Sequence, residues 1–156
     1  SLEVLRLEVS DPPRPQHVTR TMPVDKGLVA VDELEIPAGM LVEIRASGSY
    51  QIGSWNDATI GPAGYPGGGP RDYNLPGKAC SEAKHGAAVA LLQADSAAQA
   101  VVVGECVRFV ARSGGRLFVG VNDRDYRNNS GKLGFDVKVT TPDTQTWTDG
   151  GVQTCE

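Results

Sequence analysis

Between Asn122 and Asn129 the chain sets two aspartates and three asparagines within eight residues, and Ser130 and Gly131 follow directly. Carboxylates, side-chain amides and backbone carbonyls are the ligands a hard cation such as calcium prefers. The same residue types also fill turns for backbone reasons of their own. On residue type alone the run is therefore either a cation loop or a polar hairpin connection. It is not an EF-hand, because the twelfth position counted from Asp123 is Gly134 where that motif needs a bidentate glutamate. Neighbours on a strand point to opposite faces, so Asn128 and Asn129 serve one ion only where the backbone curls, and Gly131 permits such a curl.

Other chemistries lack their residues. His17 and His85 are the only histidines, and no His-x-x-x-His or Cys-x-x-Cys spacing supports a zinc centre. There is no Gly-x-Ser-x-Gly elbow. Asp57, Asp72 and Glu82 are scattered carboxylates without the spacing of a glycosidase pair. Gly67-Gly68-Gly69 lacks the Lys-Ser/Thr of a phosphate loop and reads as a flexible connection. Asn128-Asn129-Ser130 is formally a glycosylation acceptor, but a glycan there would obstruct a cation site. Trp55 and Trp147 read as core or lid residues, with Trp55 the one that could face a ligand. His85 reads as a loop histidine, facing solvent or approaching the same loops.

The oxygen-rich run must be held by its flanks. Residues 115–121 and 132–139 alternate apolar and polar side chains, the pattern of half-buried strands. A similar run at 2–9 is followed by the stiff Asp11-Pro12-Pro13-Arg14-Pro15. Residues 29–36 and 40–46 alternate on either side of Pro37-Ala38-Gly39 and read as a hairpin. Residues 48–77 are loop-like around Gly61-Pro62-Ala63-Gly64, and a loop of such length in a compact domain is functional or disordered. Short apolar runs at 86–92, 97–103 and 106–111 complete about eight short antiparallel strands with no amphipathic helix. The fold class is all-β, a β-sandwich or jelly roll.

Composition agrees. Of 156 residues 19 are glycine and 10 proline, which suits a turn-rich β protein better than a helical one. A net charge of −4 argues against a nucleic-acid partner, and no apolar run is long enough to insert in a membrane as a helix. No signal peptide opens the chain, which reads as a mature form or a piece of something larger. Cys80, Cys106 and Cys155 allow one bridge with one thiol left over, or none. Cys106, in a strand-like run, reads as a small buried hydrophobe.

Taken together, Asn122-Asp123, the run 126–131 and the strand after it resemble the calcium loop of the PA-I galactophilic lectin family, bacterial galactose-binding lectins in which one calcium holds two sugar hydroxyls. The stretch 36–48 resembles the family's early hairpin, Gly61-Pro62-Ala63-Gly64 its Gly-Pro-x-Gly segment, and 77–80 with 86–89 the strand after its sugar loop. The resemblance covers about residues 27–139, leaving 1–26 as an N-terminal strand with a Pro-rich extension and 140–156 as a C-terminal extension.

Carried over position by position, the resemblance implies metal ligands at Ile52 (backbone carbonyl, with Gly53 beside it), Asp123, Asp125 (backbone carbonyl), Asn128 and Asn129. It implies sugar contacts at Tyr73, Asn74, His85, Asp123 and Asn128. Where the family has His-Pro-Asp-Gln, this chain has Tyr73-Asn74-Leu75-Pro76, so the part that selects the sugar differs. The implied function is a non-catalytic, calcium-dependent, galactose-type carbohydrate-binding module of a secreted or envelope protein. Its partners would be a glycan or monosaccharide and other domains of a larger chain. A structural module whose calcium only locks a loop is the alternative, and a glycoside hydrolase fragment stands third.

Overall fold

A computed structural model describes residues 13–53, 59–143 and 151–156. The expected strand at 2–9, Asp57 and both tryptophans lie outside these residues. Within them the chain is built of strands: β1 (Gln16–Pro23), β2 (Val29–Ile36), β3 (Leu41–Ser47), β4 (Tyr50–Gln51), β5 (Thr59–Ile60), β6 (Ala88–Gln93), β7 (Ala98–Val102), β8 (Cys106–Val110), β9 (Gly115–Val121), β10 (Ser130–Thr140) and β11 (Val152–Thr154). One short helix, α1 (Lys78–Ser81), and two single 3-10 turns, Arg71–Tyr73 and Tyr126–Asn128, complete the set.

The strands form two antiparallel sheets. One runs β11-β8-β3-β10-β4-β5, with β1 also on β10; the other runs β2-β9-β6-β7. The all-β sandwich class is as expected: seven of the expected strands are present among the described residues, and four more join them, the polar β1 and the two- or three-residue β4, β5 and β11. The alternation seen in sequence has its packing meaning. Val42 and Ile44 of β3, Val107 and Phe109 of β8, and Leu133, Phe135, Val137 and Val139 of β10 point inward and are buried. Register stacks them in rows: Val139 faces Val42, which faces Phe109, and Val137 faces Ile44, which faces Val107. Leu117, Val119 and Val121 of β9 and Ala88, Ala90 and Leu92 of β6 close the core from the other sheet.

Three expectations are corrected. Residues 29–36 and 40–46 are not a hairpin: β2 pairs with β9 and β3 with β8 and β10, so Pro37-Ala38-Gly39 is a crossing between sheets. The turn is fixed from outside, by Gly39 N–H donating to Ala111 O at 2.7 Å. Second, the sandwich does not begin at 27. All eight residues of β1 pair with β10, from Gln16 opposite Val139 to Pro23 opposite Lys132. The isolated alternation of β1 is mostly polar, which hid it. Third, Cys106 is buried but not a free thiol: it is bonded to Cys155, and β11 lies on β8. Cys80 is the free, buried cysteine.

One register leads directly to the oxygen-rich run. β3 and β4 lie along the same flank of β10, with Gly134 opposite Ser47, Gly131 opposite Tyr50 and Ser130 opposite Gln51. The same register carried two residues further sets Ile52 and Gly53 against Asn129 and Asn128, where the ladder opens. Gly131 is needed here. Its φ is +107°, and a Cβ would stand 2.9 Å from Tyr50 Cβ and 3.0 Å from Tyr50 Cα. Tyr50 braces the opening from below. Its buried hydroxyl lies 2.7 Å from Gly86 O and 3.0 Å from Gly61 O, and burial pushes its pKa up, so it stays a donor.

Candidate cation and ligand site

At this open end of the sandwich is a cavity of about 330 Å³ lined by Ile52, Gly53, Pro70, Tyr73, His85, Asp123, Asp125 and Asn128. Four connections supply them: the segment after β4, the glycine-rich loop with its 3-10 turn, the turn before β6, and the β9–β10 connection. Residues far apart in sequence are thus gathered by pairing of β4 and β6 with their neighbours on β10 and β9.

Asp123 is the electrostatic centre. It is 3% exposed, and its Oδ1 accepts the N–H of Asp125 at 2.9 Å. Its one ion-pair neighbour among the described residues is His85, at 3.8 Å from Nε2 and itself 2% exposed. Burial pushes the His85 pKa below the ordinary imidazole range, against an opposing pull from Asp123, so the ring holds no charge to offset the carboxylate. Beyond the Asp125 N–H, the described residues give this buried carboxylate no cationic partner. A bound cation would supply one.

Apart from the His85 nitrogen, the candidate donors on these connections are oxygens. Asn129 is buried, its Nδ2 donating to Val24 O at 3.3 Å and its Oδ1 accepting Gly53 N–H at 2.9 Å. That bond fastens the Ile52–Gly53 segment to the loop. Ile52 O accepts the Tyr65 hydroxyl at 3.1 Å, which occupies one of the carbonyl's two lone pairs. Asn128 and Asp125 are exposed at the cavity wall. One buried carboxylate, two amides and two backbone carbonyls from Ile52 and Asp125 suit a hard cation in composition.

The ligand side has Tyr73, 52% exposed on the rim, and His85 on the wall. His85 is not the solvent-facing loop residue that its position suggests. It lies against Tyr65, ring centroids 6.0 Å apart, and its main chain is tied to the glycine-rich loop through Gly68 O and Tyr65 N–H. Asn74 departs from its expected role. It is buried, its Nδ2 donates to Ser81 O and Ala83 O, and its Oδ1 faces His85 Nδ1 at 2.8 Å. With all these groups engaged it faces no ligand; it holds the histidine. Sequence reasoning missed Pro70 and Tyr65, which sit in a stretch that reads only as loop. It also gave Asn122 no role, although Asn122 is fully buried and bonds Leu75 N–H, Cys80 O and Lys84 O. The one other cluster of candidate metal-binding side chains among the described residues, Glu43 with Cys106 and Cys155, involves the disulfide and offers no free thiolate.

No family model matches the chain, and no curated protein does. Among solved structures it is similar to a chain described as an EclA N-terminal domain, a PllA-like lectin, with a TM-score of 0.55 and 21% identity. The match covers 78% of this chain and 94% of that one. The likeness is one of fold: the two chains share an all-β sandwich.

Proposed function

We propose that the chain is a calcium-dependent carbohydrate-binding module of galactose type, akin to the PA-I galactophilic lectins, that binds without catalysing. The observation that carries this reading is the buried Asp123, without a cationic partner among the described residues, at the floor of an open cavity that it shares with Asp125, Asn128 and the Ile52–Gly53 segment, with the neutral His85 on the wall. Asp123, Asn128, Asn129 and the carbonyls of Ile52 and Asp125 would hold the cation. Bound there, calcium supplies open coordination positions that a pair of vicinal hydroxyls can fill.

The chain's own residues supply the rest. With Nδ1 donating to Asn74, the neutral His85 presents an Nε2 lone pair toward the cavity, an acceptor for a ligand hydroxyl. Tyr73 offers a ring face on the rim, suited to the apolar face of a sugar. The lectin-like fold of the structural neighbour supports the class, and the cavity supports the place. The Cys106–Cys155 bridge supports a secreted or envelope protein, because disulfides persist in oxidising compartments. The test is a glycan array probed with and without calcium.

A further inference from the structure

The two residues flanking Asp123 hold the turn that carries Tyr73, and they do so differently. Asn122, fully buried, fixes Leu75, Cys80 and Lys84 from within. Arg124 is exposed, and it grips the turn from outside. Its backbone N–H donates to Tyr73 O at 2.8 Å, and its guanidinium Nη2 donates to Asp72 O. We propose that Arg124 is a positioning residue that docks the 70–75 turn on the cation loop, so that placement of Tyr73 over the cavity depends on the cation. This rests on the calcium reading above.

The dependence follows from where residue 124 sits. It lies between Asp123 and Asp125, and Asp123 Oδ1 already accepts the Asp125 N–H, closing a tight turn around it. A cation held by the Asp123 carboxylate and the Asp125 carbonyl would fix the backbone on both sides of Arg124. It would thereby hold the N–H and the root of the side chain where they meet Tyr73 O and Asp72 O. Without the cation, both bonds belong to an exposed residue in a loop with an uncompensated charge, and water competes for them. Asn74 and Leu75 anchor the C-terminal end of the turn to Ser81, Ala83, His85 and Asn122, but Tyr73 itself is half exposed, and at Asp72 and Tyr73 the bonds from outside the turn, among the described residues, are those from Arg124. Ligand affinity then has two calcium-dependent parts: direct coordination, and placement of the aromatic face. Linkage makes the coupling reciprocal.

The experiment uses the whole chain labelled with 3-fluorotyrosine, whose four tyrosines give four signals, that of Tyr73 assigned with Tyr73→Phe. Calcium chloride is titrated in without sugar while the 19F spectrum and the melting temperature are followed. In the parent chain the Tyr73 signal shifts and narrows with calcium. In Arg124→Ala the calcium-induced rise in melting temperature is kept, the Tyr73 response falls to less than half, and affinity for galactose, added after calcium, drops roughly three- to tenfold. A Tyr73 signal that ignores calcium while the melting temperature rises overturns the inference alone, as does an equal response in Arg124→Ala. No thermal response to calcium in the parent chain overturns the cation reading and the inference with it.

Discussion

His85 Nδ1 lies 2.8 Å from Asn74 Oδ1, and the Asn74 amide nitrogen is committed to two carbonyls, Ser81 O and Ala83 O. The amide cannot turn round without losing both bonds, so it presents oxygen to the ring, and the ring must donate from Nδ1. One buried asparagine thereby fixes which nitrogen of the neighbouring histidine faces the cavity as an acceptor.

The first prediction follows from that pair. Long-range proton–nitrogen correlation spectra at neutral pH should show His85 protonated at Nδ1. Asn74→Ala removes the lock and leaves buried carbonyls unpaired, at about 1–3 kcal/mol of stability. Ligand affinity should fall roughly tenfold, as for other orienting partners of site histidines, with calcium affinity little changed.

Asp123 should behave oppositely in the two metal states. Asp123→Asn removes an uncompensated buried charge and keeps an oxygen for the Asp125 N–H, so the calcium-free variant should melt at or above the parent temperature. Saturating calcium at a hundred times Kd should raise the parent by about 2.7 kcal/mol, roughly 5–10 °C for a domain of this size, and the variant hardly at all. Scanning calorimetry with calcium or chelator reads both.

The disulfide has a separate consequence. It closes a loop of sequence separation 49 and fastens the three-residue strand β11, which is exposed and has little packing of its own. Chain-entropy reasoning gives about 4 kcal/mol for such a loop as an upper figure. Cys155→Ser should therefore lower the denaturant midpoint by an amount equivalent to about 2–4 kcal/mol, and amide exchange should show β11 unprotected with the other strands intact.

Acid stability should carry a small signature from β1. Some burial raises the Asp136 pKa, but hydrogen bonds from His17 at 2.6 Å and Thr19 at 2.9 Å outweigh it and hold the carboxyl below its ordinary value. A depressed carboxyl stabilises above the unfolded pKa, and that stability is lost as pH falls through the folded one. Asp136→Asn should melt below the parent at neutral pH, with the gap closing as pH drops below the ordinary aspartate range. Because His17 is 56% exposed, the gap should be only a degree or two. Thermal melts across a pH series measure it.

The sandwich was legible because its central strands alternate cleanly. Val42, Ile44 and Ala46 against Glu43 and Arg45, and Leu133 to Val139 in β10, state which face is buried without tertiary information. β1 was not, since Gln16, His17, Thr19, Arg20 and Thr21 make it polar by composition and only its pairing with β10 makes it a strand. The crossing at Pro37 was misread because a Pro-Gly turn between alternating runs looks the same whether the second run returns to the same sheet or enters the other. For the site, residue type singled out the run 122–129 and the family resemblance picked Asp123, Asp125, Asn128 and Asn129 from it; the first three line one cavity with Ile52, Tyr73 and His85, and Asn129 does not line it. The roles of Asn74 and Asn122 could not be read, because each depends on carbonyls such as Ser81 O, Cys80 O and Lys84 O that any residue type presents.

The central claim is calcium-dependent sugar binding, and a glycan array probed with labelled protein tests it most directly. With calcium, galactose-terminated glycans should retain the parent chain; with chelator in place of calcium, or with Asp123→Asn, the signal should vanish. No glycan bound with calcium, or binding that persists undiminished in chelator, would contradict the account.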